Sequence, residues 1–187
     1  MAVRRAQHTD GAIFFCTFTC YRWLPLIEQT ACHDHIYTWM HLAHNKGFRI
    51  MGYVIMPNHV HLLIHAPEGA GINALLGNAK RFLAYEIVTR LKAAGRSGTL
   101  LRLRTAVRKG DAARGQLHRV FETSTDIREC LDRRMLEQKL DYIHANPVSG
   151  KWSLAENAID YPHSSMGFYL QGDSGPAPLT HYHDVLG

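Results

Sequence analysis

The chain has 187 residues, enough for one domain with a hydrophobic core. Hydrophobic residues make up 46% and charged residues 20%, which is typical of a folded globular protein and excludes a disordered chain. The formal net charge of +5 is compatible with a phosphate-rich partner, and no apolar run approaches the roughly 18 residues of a membrane span.

The N-terminal segment and the cysteines both indicate the cytoplasm. Residues 1–8 lack the apolar core of a signal peptide. The four cysteines form no CxxC pair and no zinc-ribbon spacing, so we interpret them as reduced packing residues. We therefore expect a cytoplasmic protein without a membrane-spanning segment.

The first third of the chain predicts three strands and a helix. Residues 12–20 are aromatic and β-branched, which favours a first strand. Apolar residues then recur at loose helical intervals and predict a helix over 28–45. Two apolar segments, 48–56 and 59–66, follow and are typical of a hairpin around Pro57-Asn58.

The middle of the chain is basic. Apolar positions at helical spacing predict an amphipathic helix over 72–94, whose polar face carries Lys80 and Arg81. Such a face can touch phosphates, although a solvated face is the commoner explanation. The segment 95–116 fits a short helix or a mobile basic loop, and a nucleic-acid backbone is the partner that suits its charge. Its candidate DNA contacts are Arg102, Arg104 and Arg108.

The last third predicts one strand and the helix that matters most. Residues 117–122 have the pattern of a fourth strand, and Thr125-Asp126 can cap a helix that continues to Asn146 and is stopped by a proline. Residues 161–169 predict a short turn and helix. We expect the tail, 171–187, to be mobile because it is rich in Gly, Pro and Asp.

This order of elements predicts an α+β fold. We expect an antiparallel sheet with two helices on one face and the other face open, in a single domain over residues 1–187 with its core at about 12–170. An open sheet face is a surface on which a ligand or a single DNA strand can lie.

Three His-x-His triplets occur in a chain with thirteen histidines. The triplet at 33–35 lies on a predicted helix, where two positions diverge by roughly 200°. The triplet at 181–183 lies in the tail and has no strand pattern around it. The triplet at 59–61 opens a strand, so both imidazoles emerge on one face about 6–7 Å apart at their backbones. His59 and His61, hereafter the histidine pair, are therefore the candidate metal ligands.

Tyr142 and Asn146 lie one turn apart on the same side of the helix that precedes the proline, opposite its apolar stripe. A tyrosine can form a covalent intermediate with an activated phosphodiester, and an amide oxygen can complete the coordination of Mg²⁺ or Mn²⁺. Each residue also has an ordinary explanation: strand histidines are commonly structural, a helix tyrosine commonly packs, and Asn146 can simply end the helix. His65 and His144 are further candidates for which a structural role is more common.

Two long motifs carry a family resemblance. Residues 56–64 (Met-Pro-Asn-His-Val-His-Leu-Leu-Ile) are followed about 80 residues later by residues 141–148 (Asp-Tyr-Ile-His-Ala-Asn-Pro-Val). Together they resemble the REP-associated tyrosine transposases, which are single-strand transposases of the HUH class. The similarity extends over residues 12–169 and includes the segment 161–165 (Tyr-Pro-His-Ser-Ser).

The resemblance implies a ferredoxin-like sheet that carries the histidine pair on a central strand, and a C-terminal helix that delivers the tyrosine. It implies that His59, His61 and Asn146 bind Mg²⁺ or Mn²⁺ and that Tyr142 is the nucleophile. The family cleaves single-stranded DNA beside imperfect hairpins and leaves a 5′-phosphotyrosine and a free 3′-hydroxyl. The expected partner is therefore single-stranded hairpin DNA, and the enzyme can be a monomer or a homodimer.

Two features differ from the family pattern. Many relatives have a tryptophan where this chain has Phe121, and the basic segment 95–116 is longer. Both regions would shape the DNA groove. Two alternatives remain at this point: a domesticated protein that binds DNA hairpins without cutting them, and a metallo-phosphodiesterase that uses water as the nucleophile. Tyr142 would be dispensable in the second, whose products would carry no protein.

Overall fold

The computed structural model describes residues 11–150 and 152–186 and contains a four-stranded sheet packed between helices. Residues 1–10, on which the prediction about a signal peptide depends, lie outside the described residues. The elements in chain order are β1 (Gly11–Thr19), α1 (Leu26–Gln29), α2 (His33–Asn45), β2 (Arg49–Ile55), β3 (His59–Pro67), α3 (Ile72–Ala93), α4 (Ser97–Thr105), α5 (Lys109–Ala112), β4 (Asp126–Glu129), α6 (Arg133–Ala145), α7 (Met166–Gln171) and α8 (Tyr182–Leu186).

The strand order in the sheet is β2-β3-β1-β4, and every neighbouring pair is antiparallel. Because β3 runs antiparallel to both β1 and β2, those two strands are parallel and need the helical crossover that α2 provides. This is the ferredoxin-like arrangement, so the predicted α+β fold class is confirmed. The strand with the histidine pair lies in the interior of the sheet.

Side chains alternate along β3 and divide the core into two layers. Val60, Leu62 and Ile64 face the layer that contains α2 and α3. On the opposite face, Leu63 packs with the apolar stripe of α6, which consists of Leu136, Leu140 and Ile143. The prediction of an open second face is therefore wrong: α6 covers it, because its stripe would otherwise be exposed to water.

The predicted helix over 28–45 is divided into α1 and α2. The break occurs at Ala31, whose positive φ of 48° is incompatible with a continuous right-handed helix. The backbone N–H of Cys32 still bonds to the carbonyl of Ile27 at 3.0 Å, so the two helices remain linked through the turn. The consequence is a change of direction that the periodicity alone did not indicate.

The fourth strand and the start of α6 also differ from prediction. Residues 117–122 make only an isolated bridge, between Phe121 and Cys20, and the fourth strand is β4. The helix begins after Asp132, whose side chain accepts a hydrogen bond from the N–H of Met135 at 2.7 Å. The residues interpreted as a cap, Thr125-Asp126, instead lead into an edge strand.

The basic segment and the tail both contain helices and contact the rest of the domain. Of the two alternatives for 95–116, the structure has the helical one, as α4 and α5. The tail, predicted to be mobile, follows the outer edge of β2: Leu179 bridges to Ile50, and the N–H of Thr180 donates to the carbonyl of Ile50 at 2.9 Å. Ala177 is buried there. No helix in the described ranges is both long and apolar enough to cross a bilayer.

A stacked pair of histidines attaches the segment before α7 to α2. The rings of His33 and His163 lie 3.7 Å apart, and the hydroxyl of Tyr37 lies 2.9 Å from Nδ1 of His163. Burial, with a smaller contribution from the neighbouring imidazole, lowers the pKa of His33 to about 4, and burial lowers the pKa of His163. Asp34 opposes the shift of His33 more weakly.

This pair predicts an acid-sensitive contact. Because the folded-state pKa values lie below the unfolded value of about 6.5, the unfolded chain binds more protons, and stability falls as the pH is lowered from about 6.5 towards 4. We expect the urea midpoint of the wild-type chain to fall over this range and that of His33→Gln to fall less. His41→Gln, at an exposed position on the same helix, is the control. If the urea midpoint of His33→Gln falls with pH as steeply as that of the wild-type chain, the His33–His163 pair is not the source of the acid sensitivity.

Candidate active site

β3 holds the two imidazoles of the histidine pair side by side. His59 and His61 are 6% and 5% exposed, and their ring centroids lie 4.6 Å apart with the planes at 78°. The strand period of two places both imidazoles on one face of the sheet, as the sequence predicted, and α6 covers that face. The pair is therefore buried beneath the helix that carries Tyr142.

Each imidazole has a polar partner at its Nδ1 atom. Nδ1 of His59 lies 2.7 Å from Oδ1 of Asn58, and Nδ1 of His61 lies 2.7 Å from Oγ1 of Thr17, its partner across β1 and β3. Nε2 of His61 is buried and has no hydrogen-bond partner among the described residues. A polar partner on Nδ1 with Nε2 left over, as in His61, is the arrangement by which metal-binding histidines are oriented.

Both histidines are neutral at physiological pH. Burial lowers the pKa of His59 to about 4, against a smaller opposing effect of a hydrogen bond with the Asn146 side chain. Burial lowers the pKa of His61 to about 3, with further contributions from His59 and Lys139. A neutral imidazole has a lone pair for a cation, so the pair needs no deprotonation before it can act as a ligand.

α6 brings the tyrosine and the asparagine to the pair. The aromatic ring of Tyr142 lies edge-on to His61 with centroids 5.1 Å apart and edge-on to Phe15 at 5.9 Å. Tyr142 is 51% exposed, so its ring contacts the buried pair while part of the side chain faces solvent. One turn later Asn146 reaches His59 through its amide. All four residues predicted for the site converge within one chain.

The predicted donor set can bind a divalent cation and leave coordination positions open. It would consist of two imidazole nitrogens and one amide oxygen, from His59, His61 and Asn146. Within residues 11–150 and 152–186, no group of three or more His, Cys, Asp and Glu side chains is arranged to hold a metal ion. The amide of Asn146 and the unpartnered Nε2 of His61 are the features that fit an ion, and metal binding stays a prediction.

The predicted DNA contacts have different surroundings. Nζ of Lys80 donates to the carbonyls of Glu122 and Thr123 at 2.7 and 3.1 Å and to Oγ1 of Thr125 at 3.1 Å, so its ammonium secures that loop. Arg81 is exposed and donates to Asn78. The other three candidates are exposed: Arg102 and Arg104 are on α4, and Arg108 follows it. α4 packs on α3, on the side of the sheet opposite α6. Their DNA contacts remain predictions.

Sequence reasoning missed several residues of the site. Thr17 and Asn58 orient the histidine pair, Trp23 lies edge-on to His59 at 5.6 Å, and the ammonium of Lys139 lies 4.8 Å from the centre of the Phe15 ring. Lys139 is one helical turn from Tyr142, and its charge contributes to the low pKa of His61. The sequence could have indicated Lys139, because it lies three residues before Tyr142 on the same predicted helix. It could not have indicated Trp23, whose position depends on the tertiary fold.

The remaining histidine candidates lie outside this site. His144 is buried against Ser165, with Nε2 2.9 Å from Oγ, and His65 lies at the far end of β3 opposite Ile13. The rings of the triplet at 33–35 diverge as predicted, towards His163 and Phe82. The rings of His181 and His183, by contrast, lie close together, with centroids 4.7 Å apart. His183 is on α8, and its Nε2 lies 3.0 Å from a guanidinium nitrogen of Arg133. A neighbouring guanidinium disfavours a cation there.

One family model and several solved structures are similar to this chain. Residues 15–100 match the family described as "Transposase IS200 like". Seven solved chains match. One is a REP-associated tyrosine transposase bound to a REP hairpin, with 18% identity and a TM-score of 0.58 over 92% of this chain and 87% of the other. No curated protein sequence matches significantly.

A second solved structure is a candidate transposase from Deinococcus radiodurans R1, with 19% identity and a TM-score of 0.43 over 76% of this chain and 95% of the other. The first of these two likenesses establishes the fold shared with the hairpin-bound protein. The family match extends from the middle of β1 to the start of α4, and thus includes the histidine pair but not α6.

Proposed function

We propose that this chain, whose residues 15–100 match the family described as "Transposase IS200 like", is a single-tyrosine transposase that cleaves and rejoins single-stranded hairpin DNA. Tyr142 is the nucleophile in this proposal, and the reaction proceeds through a 5′-phosphotyrosine. The substrate class comes from the resemblance of the two motifs and from the hairpin to which the structural relative is bound. The chain acts as a monomer or as a homodimer.

One observation carries the proposal. The ring of Tyr142, from α6, lies 5.1 Å from the ring of His61, from β3, and Asn146, which directly follows α6, reaches His59. A packing tyrosine on the apolar stripe of α6 would be buried, yet this one is half exposed above a buried polar pair. Such a position lets a phosphodiester approach the hydroxyl from solvent while its non-bridging oxygens face the pair.

His59, His61 and Asn146 would hold Mg²⁺ or Mn²⁺. A divalent ion bound there supplies positive charge that polarises the phosphoryl group and stabilises the charge that develops in the transition state. Thr17 and Asn58 keep the two imidazoles oriented, and their burial keeps them neutral. The ammonium of Lys139, which lies over the Phe15 ring and lowers the pKa of His61, would add a fixed positive charge near the phosphoryl group.

The proposed reaction conserves phosphodiester bonds. The phenolic oxygen of Tyr142 bonds to phosphorus, and the bond from phosphorus to the 3′-oxygen breaks. The phenol loses its proton and the leaving oxygen gains one, so the products are a 5′-phosphotyrosine and a 3′-hydroxyl without net proton change. Attack of a 3′-hydroxyl on the phosphotyrosine reverses these steps and joins strands, with no external energy source.

An adduct assay tests this proposal. The full chain is incubated with Mg²⁺ or Mn²⁺ and hairpin DNAs that carry randomised single-stranded flanks, labelled at the 5′ end in one set and at the 3′ end in the other. We expect the protein to acquire the 3′ label, because a 5′-phosphotyrosine retains the downstream strand. Cleavage with no labelled protein would instead indicate a water nucleophile, and binding without cleavage would indicate a catalytically silent hairpin-binding protein.

A further inference from the structure

A large aromatic side chain is exposed at the edge of the site. Trp23 is 59% exposed, and its ring lies edge-on to His59 with centroids 5.6 Å apart and planes at 69°. The other two tryptophans are more covered: Trp39 is buried in the core and Trp152 is partly buried. Exposing an indole costs hydrophobic free energy, so its position beside a buried polar pair suggests contact with a ligand.

The backbone under this tryptophan is in an unfavourable conformation. Arg22 and Trp23 have positive φ values of 50° and 57°, in the left-handed region that side chains with a Cβ rarely occupy. Two such residues in succession are energetically unfavourable. A strained turn of this kind persists only where surrounding contacts stabilise it, and functional sites are where such turns concentrate.

Specific contacts fix the turn, and one of them connects it to the histidine pair. Oε1 of Glu122 accepts a hydrogen bond from the N–H of Arg22 at 2.9 Å. Nδ2 of Asn58 donates to the carbonyl of Trp23 at 3.0 Å, while Oδ1 of the same amide lies 2.7 Å from Nδ1 of His59. Asn58 is fully buried. One amide therefore sets the position of the tryptophan relative to the imidazole.

We propose that Trp23 is a stacking platform for one unpaired nucleobase of the DNA strand that enters the site. This inference rests on the proposed function, since it needs single-stranded DNA at the histidine pair. An indole face accepts any base, so the platform positions the strand rather than reading its sequence. A base held beside His59 would fix which phosphodiester lies below Tyr142, and Trp23 is thus a positioning residue.

Binding measurements test the platform without relying on cleavage. Each variant carries Tyr142→Phe, so that the DNA stays intact, and the probe is a fluorescent hairpin whose single-stranded flank is a run of thymidines. We expect Trp23→Ala to weaken binding about 10-fold and Trp23→Phe to weaken it much less, because a phenyl ring can still stack on a base and a methyl group cannot. Tyr85→Ala, which removes a 73% exposed aromatic residue on α3, is the matched control and should bind normally.

An abasic scan then locates the stacked base. Removing one base at a time from the flank should weaken binding at a single position in the chain with Trp23 and have no effect at that position in Trp23→Ala. Equal affinities of Trp23→Ala and Tyr85→Ala, or an abasic profile that Trp23→Ala leaves unchanged, would overturn the platform alone. Failure of every variant to bind hairpin DNA would overturn the proposed function and the platform with it.

Discussion

Replacement of Tyr142 by phenylalanine is expected to abolish the covalent protein–DNA adduct completely while leaving hairpin binding near normal. The substitution removes only the hydroxyl that would attack phosphorus. The ring can keep its edge-on contacts with His61 and Phe15, and it is half exposed, so the free energy of unfolding should change by less than about 0.5 kcal/mol. The measurements are denaturing gel analysis of the labelled adduct and fluorescence anisotropy for binding.

A second tyrosine provides the control for this result. Tyr85 is 73% exposed on α3, in the helix layer on the other side of the sheet. Tyr85→Phe removes the same atom from a similarly exposed ring and should form the adduct as the wild-type chain does. If Tyr142→Phe still forms an adduct, another side chain is the nucleophile; if it loses binding as well, the hydroxyl has a role in DNA affinity instead.

The three long strands could be predicted within one or two residues, because their dense apolar and β-branched composition leaves few alternatives. The fourth strand could not. β4 (Asp-Ile-Arg-Glu) is short and charged, as strands at a sheet edge commonly are, and the apolar pattern over 117–122 was the stronger signal. Its pairing with β1 depends on where the preceding loop leads, which local pattern does not encode. The start of α6 was misplaced for the same reason.

The candidate site was also predictable only in part. The common face of His59 and His61 follows from the strand period of two, and the shared side of Tyr142 and Asn146 follows from the helical period, so both halves were predictable. That the halves meet depends on α6 covering the sheet face that was expected to be open. The partners of the two imidazoles were not predictable: Thr17 requires the register between β1 and β3, and Trp23 requires a backbone conformation that sequence disfavours.

The double substitution His59→Ala and His61→Ala is expected to remove strand cleavage and its dependence on Mg²⁺ or Mn²⁺ together. Without the two imidazoles, Asn146 alone cannot retain the ion, and the loss of charge stabilisation worth several kcal/mol should reduce the cleavage rate by about a thousandfold or more. Binding of Mn²⁺, followed by electron paramagnetic resonance in the absence of DNA, should disappear from the double variant and measures the site independently of activity.

Burial of the pair makes a folding control necessary. His144→Ala removes an imidazole that is equally buried on α6 but bonds to Ser165 outside the site, so it reproduces the loss of packing and of a buried hydrogen bond. If His144→Ala retains Mn²⁺ binding and cleavage while the double variant loses both with a comparable melting temperature, the pair acts through the ion. Full cleavage by the double variant would show that the two histidines are structural and that Tyr142 attacks without a metal at this position.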